Sequence, residues 1–109
     1  MPFQKARLTV AMTRSETIAT LKANSREIRE LGATGLYLYG SAARDELSPE
    51  SDVDLFIDYD PASDFSFVEL VRLQKLIRQK LARRIDLTTR YGLHPLLRSD
   101  IEQSSIRVF

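Results

Sequence analysis

Apolar residues recur at helical spacing in two long stretches of the chain. The first stretch follows Thr13-Arg14-Ser15-Glu16, which has the form of a capping box, and continues to Gly32. The second follows another capping box, Ser66-Phe67-Val68-Glu69, and continues to Leu81. We therefore predict one helix in each stretch. The positions expected on their core-facing stripes are Ile18, Leu21, Ser25, Ile28 and Leu31 in the first, and Phe67, Leu70, Val71, Leu73, Gln74, Ile77 and Leu81 in the second.

Three shorter segments have the composition or the alternation of β-strands. They are Leu36-Tyr37-Leu38-Tyr39, the segment from Val53 to Ile57, and Ile85-Asp86-Leu87-Thr88-Thr89. In the second segment, Val53, Leu55 and Ile57 alternate with a second set of positions, so Asp52 and Asp54 are expected on one face of the strand. The alternating set is Asp52, Asp54, Phe56 and Asp58.

Smaller elements are expected between and after these strands. Ser41 is placed to cap a short helix that breaks at Ser48-Pro49. A helical segment after Pro95 and a closing strand at Arg107-Val108-Phe109 end the chain. Helices and strands are therefore expected to alternate along the sequence.

The composition is that of a globular protein. The chain has 109 residues, of which 43% are hydrophobic and 28% charged, and its formal net charge is +1. This charge does not favour a protein that coats nucleic acid, and the absence of cysteine excludes a disulfide framework, a thiolate metal site and a cysteine nucleophile. No segment approaches the ~20 apolar residues of a membrane span, and the first residues lack an apolar signal core. We expect a single domain over residues 1–109, located in the cytoplasm and without membrane contact.

The pattern with the clearest chemical meaning is Gly40-Ser41, then ten residues, then Asp52-Val53-Asp54. Glycine lets the backbone approach a phosphate closely, and serine adds a hydroxyl and an amide where a helix begins. Two carboxylates at positions i and i+2 of a strand lie about 6 to 7 Å apart on one face, from which both can reach a pair of metal ions. Magnesium suits oxygen ligands combined with phosphates. The pattern therefore predicts a site for a nucleoside triphosphate and Mg²⁺.

Asp86 adds a third carboxylate on a separate predicted strand. It could complete a metal site, or it could accept the proton of an attacking hydroxyl group. A lone Asp-x-Asp is more often a solvated strand start or a helix cap, and a single strand acid such as Asp86 can simply end a ladder. The hypothesis of a catalytic site depends on all three carboxylates occurring together with the Gly-Ser turn.

This combination resembles the polymerase-beta-like nucleotidyltransferase superfamily, in which a Gly-Ser turn precedes an Asp-x-Asp strand and a third Asp lies on a later strand. The longer match, Gly40-Ser41-Ala42-Ala43-Arg44-Asp45-Glu46 followed by Ser51-Asp52-Val53-Asp54-Leu55, is similar to the minimal nucleotidyltransferase (MNT) antitoxins encoded beside HEPN-domain ribonuclease toxins. The tail from Leu93 to Phe109 is similar as well. The resemblance implies an α/β (α+β) fold with a small mixed sheet flanked by helices.

The resemblance also implies a reaction and a set of site residues. The reaction is transfer of AMP from ATP, with two Mg²⁺ ions, to a tyrosine of a cognate HEPN toxin, which releases pyrophosphate and silences the toxin. The cognate toxin is the implied partner, in a hetero-oligomer. The implied catalytic and metal-binding residues are Asp52, Asp54 and Asp86, and the implied phosphate contacts are Gly40, Ser41 and, with less support, Arg44.

Two other functions are compatible with these residues. A non-catalytic antitoxin could mask the toxin by stoichiometric binding, and an Asp52→Asn variant of it would still inhibit. An aminoglycoside-type nucleotidyltransferase would need an acceptor pocket, for which a chain of 109 residues offers little material unless it dimerises. A protein partner that presents its own hydroxyl group is therefore the favoured acceptor.

Several other residues are interpreted without a catalytic role. Arg72, Lys75, Arg78, Lys80, Arg83 and Arg84 are taken as a solvated basic face, with contact to RNA or to an acidic partner surface as the alternative. Tyr37 and Tyr39 are interpreted as packing residues, and Asp58 and Asp60 as a solvated strand end and turn. His94 has no neighbour at ligand spacing, so it is not assigned to a metal site.

Overall fold

Two helices precede the first strand in the computed structural model, which describes residues 12–109. The elements are α1 (Arg14–Ala23), α2 (Ser25–Glu30), β1 (Ala33–Tyr39), α3 (Gly40–Ala43), β2 (Val53–Tyr59), α4 (Phe67–Leu81), β3 (Ile85–Thr89), a 3₁₀ turn (Arg90–Gly92), α5 (Arg98–Ser104) and β4 (Ile106–Arg107). Within these residues, none of the helices combines the length and the apolar character that crossing a bilayer requires.

The strands form one mixed sheet in the order β3-β2-β1-β4. β1 runs antiparallel to both of its neighbours, whereas β2 and β3 are parallel. A parallel pair needs a crossover connection, and the amphipathic α4 between the two strands supplies it. The expected small mixed sheet flanked by helices is confirmed.

The core lies between one face of this sheet and the helices α1, α2 and α4. Alternate residues of each strand point to this face because the side-chain period of a strand is two. Its buried members include Leu36, Leu38, Val53, Leu55, Ile57, Ile85 and Leu87 from the strands and Leu21, Ile28, Leu73, Ile77 and Leu81 from the helices. The intervening residues, Asp54 and Asp86 among them, therefore project from the opposite face.

Both predicted capping boxes are confirmed. The Thr13 hydroxyl oxygen accepts from the Glu16 backbone N–H at 3.1 Å, and the Glu16 carboxylate accepts from the Thr13 N–H at 2.8 Å. Ser66 and Glu69 form the same reciprocal arrangement at the start of α4. These contacts satisfy N–H groups that have no partner inside a helix, and so they determine where α1 and α4 begin.

The single helix predicted up to Gly32 is wrong, since the segment forms two helices. Asn24 separates α1 from α2 with φ −109° and ψ 15°, and its side-chain amide donates to the Thr20 carbonyl oxygen at 2.8 Å. Asparagine side chains compete with the helix for backbone groups. The apolar spacing continues through Asn24 and therefore does not reveal the break.

Two further expectations need correction. Phe67 was placed on the core stripe of α4, but its side chain is 76% exposed, and the buried members Leu73, Ile77 and Leu81 lie in later turns of the helix. The closing strand was expected at residues 107–109 and is instead Ile106–Arg107. Backbone hydrogen bonds with Leu36 nevertheless continue through Phe109.

Asp58 belongs to an ion-pair network and is not the solvated strand end that was predicted. Its carboxylate accepts from Arg90 Nε and Nη2 at 2.8 and 2.9 Å, and Arg90 Nη1 donates to Glu102 at 2.7 Å. The guanidinium also lies 4.9 Å from the ring centroid of Tyr37 and 5.1 Å from that of Phe56. The network therefore ties α5 and the segment after β3 to the end of β2.

Replacing Arg90 with methionine is expected to lower the free energy of unfolding by about 2 kcal/mol at neutral pH, because Asp58 and Glu102 then lack their cation. The cost stays below that of a fully buried pair because the three side chains are 23 to 32% exposed. Urea unfolding measures the change. Arg26→Met, which removes one partner of a pair that is 91% and 67% exposed, is the control and should cost under about 0.5 kcal/mol.

The Arg90 contribution should also depend on pH. Hydrogen bonds from Arg90 hold the pKa of Asp58 below its ordinary value of 3.8. A lowered carboxyl pKa stabilises the fold above the unfolded pKa, and this stability is lost as the pH falls through the folded value. The difference between wild type and Arg90→Met should therefore shrink below about pH 4. An undiminished difference at lower pH would show that Arg90 acts through ring packing alone.

Candidate active site

Asp54 and Asp86 lie side by side on the face of the sheet that is turned away from the core. They are partners in the register of the parallel strands β2 and β3. Neighbouring strands are about 4.8 Å apart, and register partners project to the same face. Two carboxylates that are distant in the sequence therefore share one site, with Asp54 half-buried and Asp86 exposed.

The crowding of acidic groups changes the ionisation of Asp54. Burial raises the pKa of this carboxyl, and the negative charges of Asp86 and Asp52 raise it further, whereas Arg44 lowers it. Like charges have this effect when they are close to each other. Asp52 and Asp86 therefore both act electrostatically on Asp54, and a bound divalent cation would offset this repulsion.

The Gly40-Ser41 turn packs directly against Asp54. Tyr39 is the register partner of Asp54 in the antiparallel pairing of β1 and β2, so Gly40 follows at the point where β1 ends. Gly40 has a φ of +69°, and a Cβ added to it would lie 2.5 Å from Asp54 Oδ2. Both its backbone conformation and its surroundings therefore require glycine.

Ser41 lies inside α3 rather than at its cap, which corrects the prediction. The four-residue helix begins at Gly40 and has Tyr39 at its N-cap position. It also ends well before Ser48-Pro49, since Asp45 follows with a φ of +58°. The Asp45 carboxylate accepts from the Arg14 backbone N–H at 2.8 Å, so the start of α1 holds this turn in place.

Asp52 lies immediately before β2 and is paired with a cation. Its Oδ1 is 3.0 Å from Nε of Arg84, which also donates to the Glu50 carbonyl oxygen. Arg83 donates to the carbonyl oxygens of Ser48 and Ser51. The interpretation of this helix exit as a solvated face misses these contacts, by which two arginines hold the loop before β2.

The arrangement of the carboxylates fits a magnesium ion that is completed by substrate. Within residues 12–109, no three acidic or histidine side chains are grouped so that they could hold an ion by themselves. Asp52 is paired with Arg84, whereas Asp54 and Asp86 stay adjacent. Magnesium is usually bound by one or two carboxylates together with waters and substrate phosphates. Two neighbouring carboxylates beside a Gly-Ser turn are such a donor set.

Tyr39 is part of this site, although the sequence led us to interpret it as a packing residue. Burial, together with the negative charges of Asp54 and Asp86, raises the pKa of its phenol to about 12. Tyr39 therefore remains a neutral hydrogen-bond donor near the carboxylates at physiological pH. Only the pairing of β1 with β2 brings it beside Asp54, and one sequence does not reveal that pairing.

Arg44, predicted as a weaker phosphate contact, lies at the edge of the site. Its Nε is 2.9 Å from Glu46, in a pair whose side chains are more than 60% exposed. Its charge also lowers the pKa of Asp54. Arg44 is therefore close enough to influence the carboxylates while most of its side chain is exposed to solvent.

The sequence matches a family model described as "Nucleotidyltransferase domain" over residues 21–108. It is 30% identical over 98 residues to a Methanocaldococcus jannaschii protein named as a candidate protein adenylyltransferase, an alignment that covers 88% of this chain and 98% of the relative. It is 29% identical over 83 residues to the protein adenylyltransferase MntA of Thermococcus cleftensis, covering 75% and 82%.

Solved structures give the same fold. One that is described as a candidate minimal nucleotidyltransferase matches with a TM-score of 0.76 and 26% identity, covering 87% of this chain and 95% of that one. A Shewanella oneidensis complex of a tri-AMPylated HEPN toxin with an MNT antitoxin matches with a TM-score of 0.60 and 14% identity, covering 84% and 71%. At 14% identity, the second likeness shows the fold alone.

Proposed function

Because the chain belongs to the nucleotidyltransferase domain family, we propose that it is an antitoxin enzyme that transfers AMP from ATP to a tyrosine of a cognate HEPN-domain ribonuclease toxin. The observation that carries this proposal is the adjacency of Asp54 and Asp86 on one face of the sheet, with the Gly40-Ser41 turn packed against Asp54. The relatives named as protein adenylyltransferases support a protein acceptor. The complex in which an MNT antitoxin accompanies an AMPylated HEPN toxin supports this class of partner.

The residues of the candidate site share the tasks of the proposed reaction. Gly40 and Ser41 bind the triphosphate through the turn, where glycine permits a close approach of the backbone. Asp54 and Asp86 would hold Mg²⁺, and Asp52 would join them once its ion pair with Arg84 is broken. Bound Mg²⁺ would neutralise charge on the phosphates and on the attacking and leaving oxygens.

The proposed transfer forms one bond, breaks one bond and moves one proton. The tyrosine hydroxyl oxygen attacks the α-phosphorus of ATP and forms the new O–P bond. The bond from the α-phosphorus to its bridging oxygen breaks, and pyrophosphate leaves. Asp86, as the exposed carboxylate of the pair, accepts the proton of the hydroxyl group. Its exposure leaves room for an acceptor that another protein presents.

The first experiment incubates the purified protein with the product of the adjacent reading frame, magnesium and ATP, and then measures the mass of that partner. We expect a gain of one or more AMP units on a tyrosine, and no gain with the Asp52→Asn/Asp54→Asn variant. Replacing ATP with GTP, CTP or UTP determines the nucleotide preference. No mass gain, combined with a stable complex that protects RNA from the partner, would contradict the proposal and identify a masking antitoxin.

A further inference from the structure

A groove runs between α4 and β3 on the core side of the sheet edge. Four apolar residues line it, namely Phe67, Leu70, Val71 and Leu87. Phe67 is 76% exposed at the first position of α4, while Leu70 and Val71 are half-buried. The groove therefore presents apolar surface that residues 12–109 leave partly uncovered.

The charged residues that line this groove are basic. Lys75 and Arg78 line it, and no acidic side chain does. Both cations are exposed, and among the ion pairs within residues 12–109 neither takes part. Lys80, which also lies on α4, is instead paired with Glu27 at 3.5 Å. An acidic group on a binding partner would supply the negative charge that the described residues do not place beside Lys75 and Arg78.

The strand beside the groove is the last strand of the sheet. In the described part of the chain, β3 pairs with β2 on one side, and no strand pairs with it on the other. An open strand edge offers backbone N–H and C=O groups to an added strand. Leu87 points toward α4 and the groove, so Asp86 and Thr88 point to the opposite face. One strand edge thus joins the groove to the candidate active site.

We propose that this groove and the open edge of β3 bind an extended segment of the partner protein, which adds to the sheet beside β3. Alternate residues of such a strand point to opposite faces. Its apolar and acidic side chains would lie in the groove against Phe67, Lys75 and Arg78. The residues between them would lie on the face of Asp86, where the acceptor hydroxyl group is needed. The inference rests on the proposed function, since it describes how that acceptor is presented.

The test measures the affinity for the product of the adjacent reading frame by isothermal titration calorimetry. The variant Lys75→Glu/Arg78→Glu is expected to bind about 30-fold more weakly, because acidic side chains of the partner would then meet like charges. The matched control, Lys22→Glu/Arg72→Glu, makes the same change of charge at exposed positions that do not line the groove. It should weaken binding by less than about threefold at physiological salt. Equal losses in both variants would overturn the inference.

Hydrogen exchange tests the contribution of the strand edge. Amide protons of β3 that face away from β2 should exchange more slowly in the complex than in the free protein, because the added strand accepts their hydrogen bonds. Unchanged exchange throughout β3 would overturn the inference. The inference would also be overturned if no complex with the partner formed. It would be overturned as well if the wild-type chain self-associated and the Lys75→Glu/Arg78→Glu variant did not, because the groove would then bind a second copy of the chain.

The proposed docking surface and the proposed catalytic function can be tested separately. The Asp52→Asn/Asp54→Asn variant should retain the affinity of the wild type for the partner while transferring no AMP. Groove-dependent binding without any transfer by the wild type would overturn the proposed function and leave the docking surface standing. If the Lys75→Glu/Arg78→Glu variant bound the partner as tightly as the wild type, and the wild type transferred AMP normally, the docking surface would be overturned. The proposed function would then stand.

Discussion

Replacing Asp54 with asparagine is expected to lower the rate of AMP transfer by at least about a thousandfold, because a neutral amide neither holds Mg²⁺ as a carboxylate does nor balances its charge. Asp54 lies beside the other parts of the candidate site. It is the register partner of Asp86 on one side and of Tyr39 on the other, and Gly40 packs against it. No other acidic residue in the site has this combination of neighbours.

The same substitution is expected to stabilise the protein when metal and nucleotide are left out. Burial and the neighbouring carboxylates raise the pKa of Asp54. A raised carboxyl pKa means that stability is highest below the unfolded pKa and is lost as the pH rises through the folded value. At neutral pH the ionised Asp54 therefore opposes folding, and asparagine removes this cost. We expect a gain of about 0.5 kcal/mol, in line with the trade-off between stability and activity at functional sites.

Transfer assays and urea unfolding of the same preparations check both parts of this prediction. Asp64→Asn is the matched control, because Asp64 is exposed in the turn before α4. It should leave both the rate of transfer and the stability at pH 7 unchanged. A loss of stability in Asp54→Asn would show that the carboxylate makes a structural contact that outweighs the repulsion. A rate close to wild type would remove Asp54 from the metal site.

Local signals in the sequence predicted the elements of the fold well. The capping boxes at Thr13 and Ser66 and the strand from Ile85 to Thr89 depend on residues that are adjacent in the chain, and all three are confirmed. Two of the predictions that failed concern helix ends that depend on a single residue. Asn24 breaks a helix whose apolar spacing continues, and Asp45 ends α3 through a positive φ.

The sequence predicted the residue types of the candidate site but not the contacts between those residues. The Gly-Ser turn and the carboxylates are visible as residue types at a characteristic spacing. Which strand pairs with which is a tertiary property, and it alone places Tyr39 next to Asp54 and allows Arg84 to reach Asp52. The Asp58–Arg90 pair is missed for the same reason, because its partners lie on separate elements. Contacts between distant segments carry no local signal that one sequence could reveal.

Replacing Gly40 with alanine is expected to destabilise the protein by about 2 kcal/mol and to reduce transfer by about a hundredfold. The left-handed backbone at φ +69° costs a residue with a Cβ roughly 1 to 2 kcal/mol. The added Cβ would also meet Asp54 Oδ2 at 2.5 Å, so either the turn or the carboxylate must move. A displacement of about 1 Å in a catalytic site can lower the rate by about a hundredfold.

Ser41→Ala separates the backbone effect from the hydroxyl group, because it leaves Gly40 and the path of the turn unchanged. It should keep the wild-type stability and lose only about tenfold in rate, as expected for one hydrogen bond to a phosphate. Transfer measured at saturating ATP, together with urea unfolding, distinguishes the two variants. If Gly40→Ala retained both stability and rate, the turn would be shown to move away without consequence. Asp54 would then hold its position without help from the chain that leads into α3.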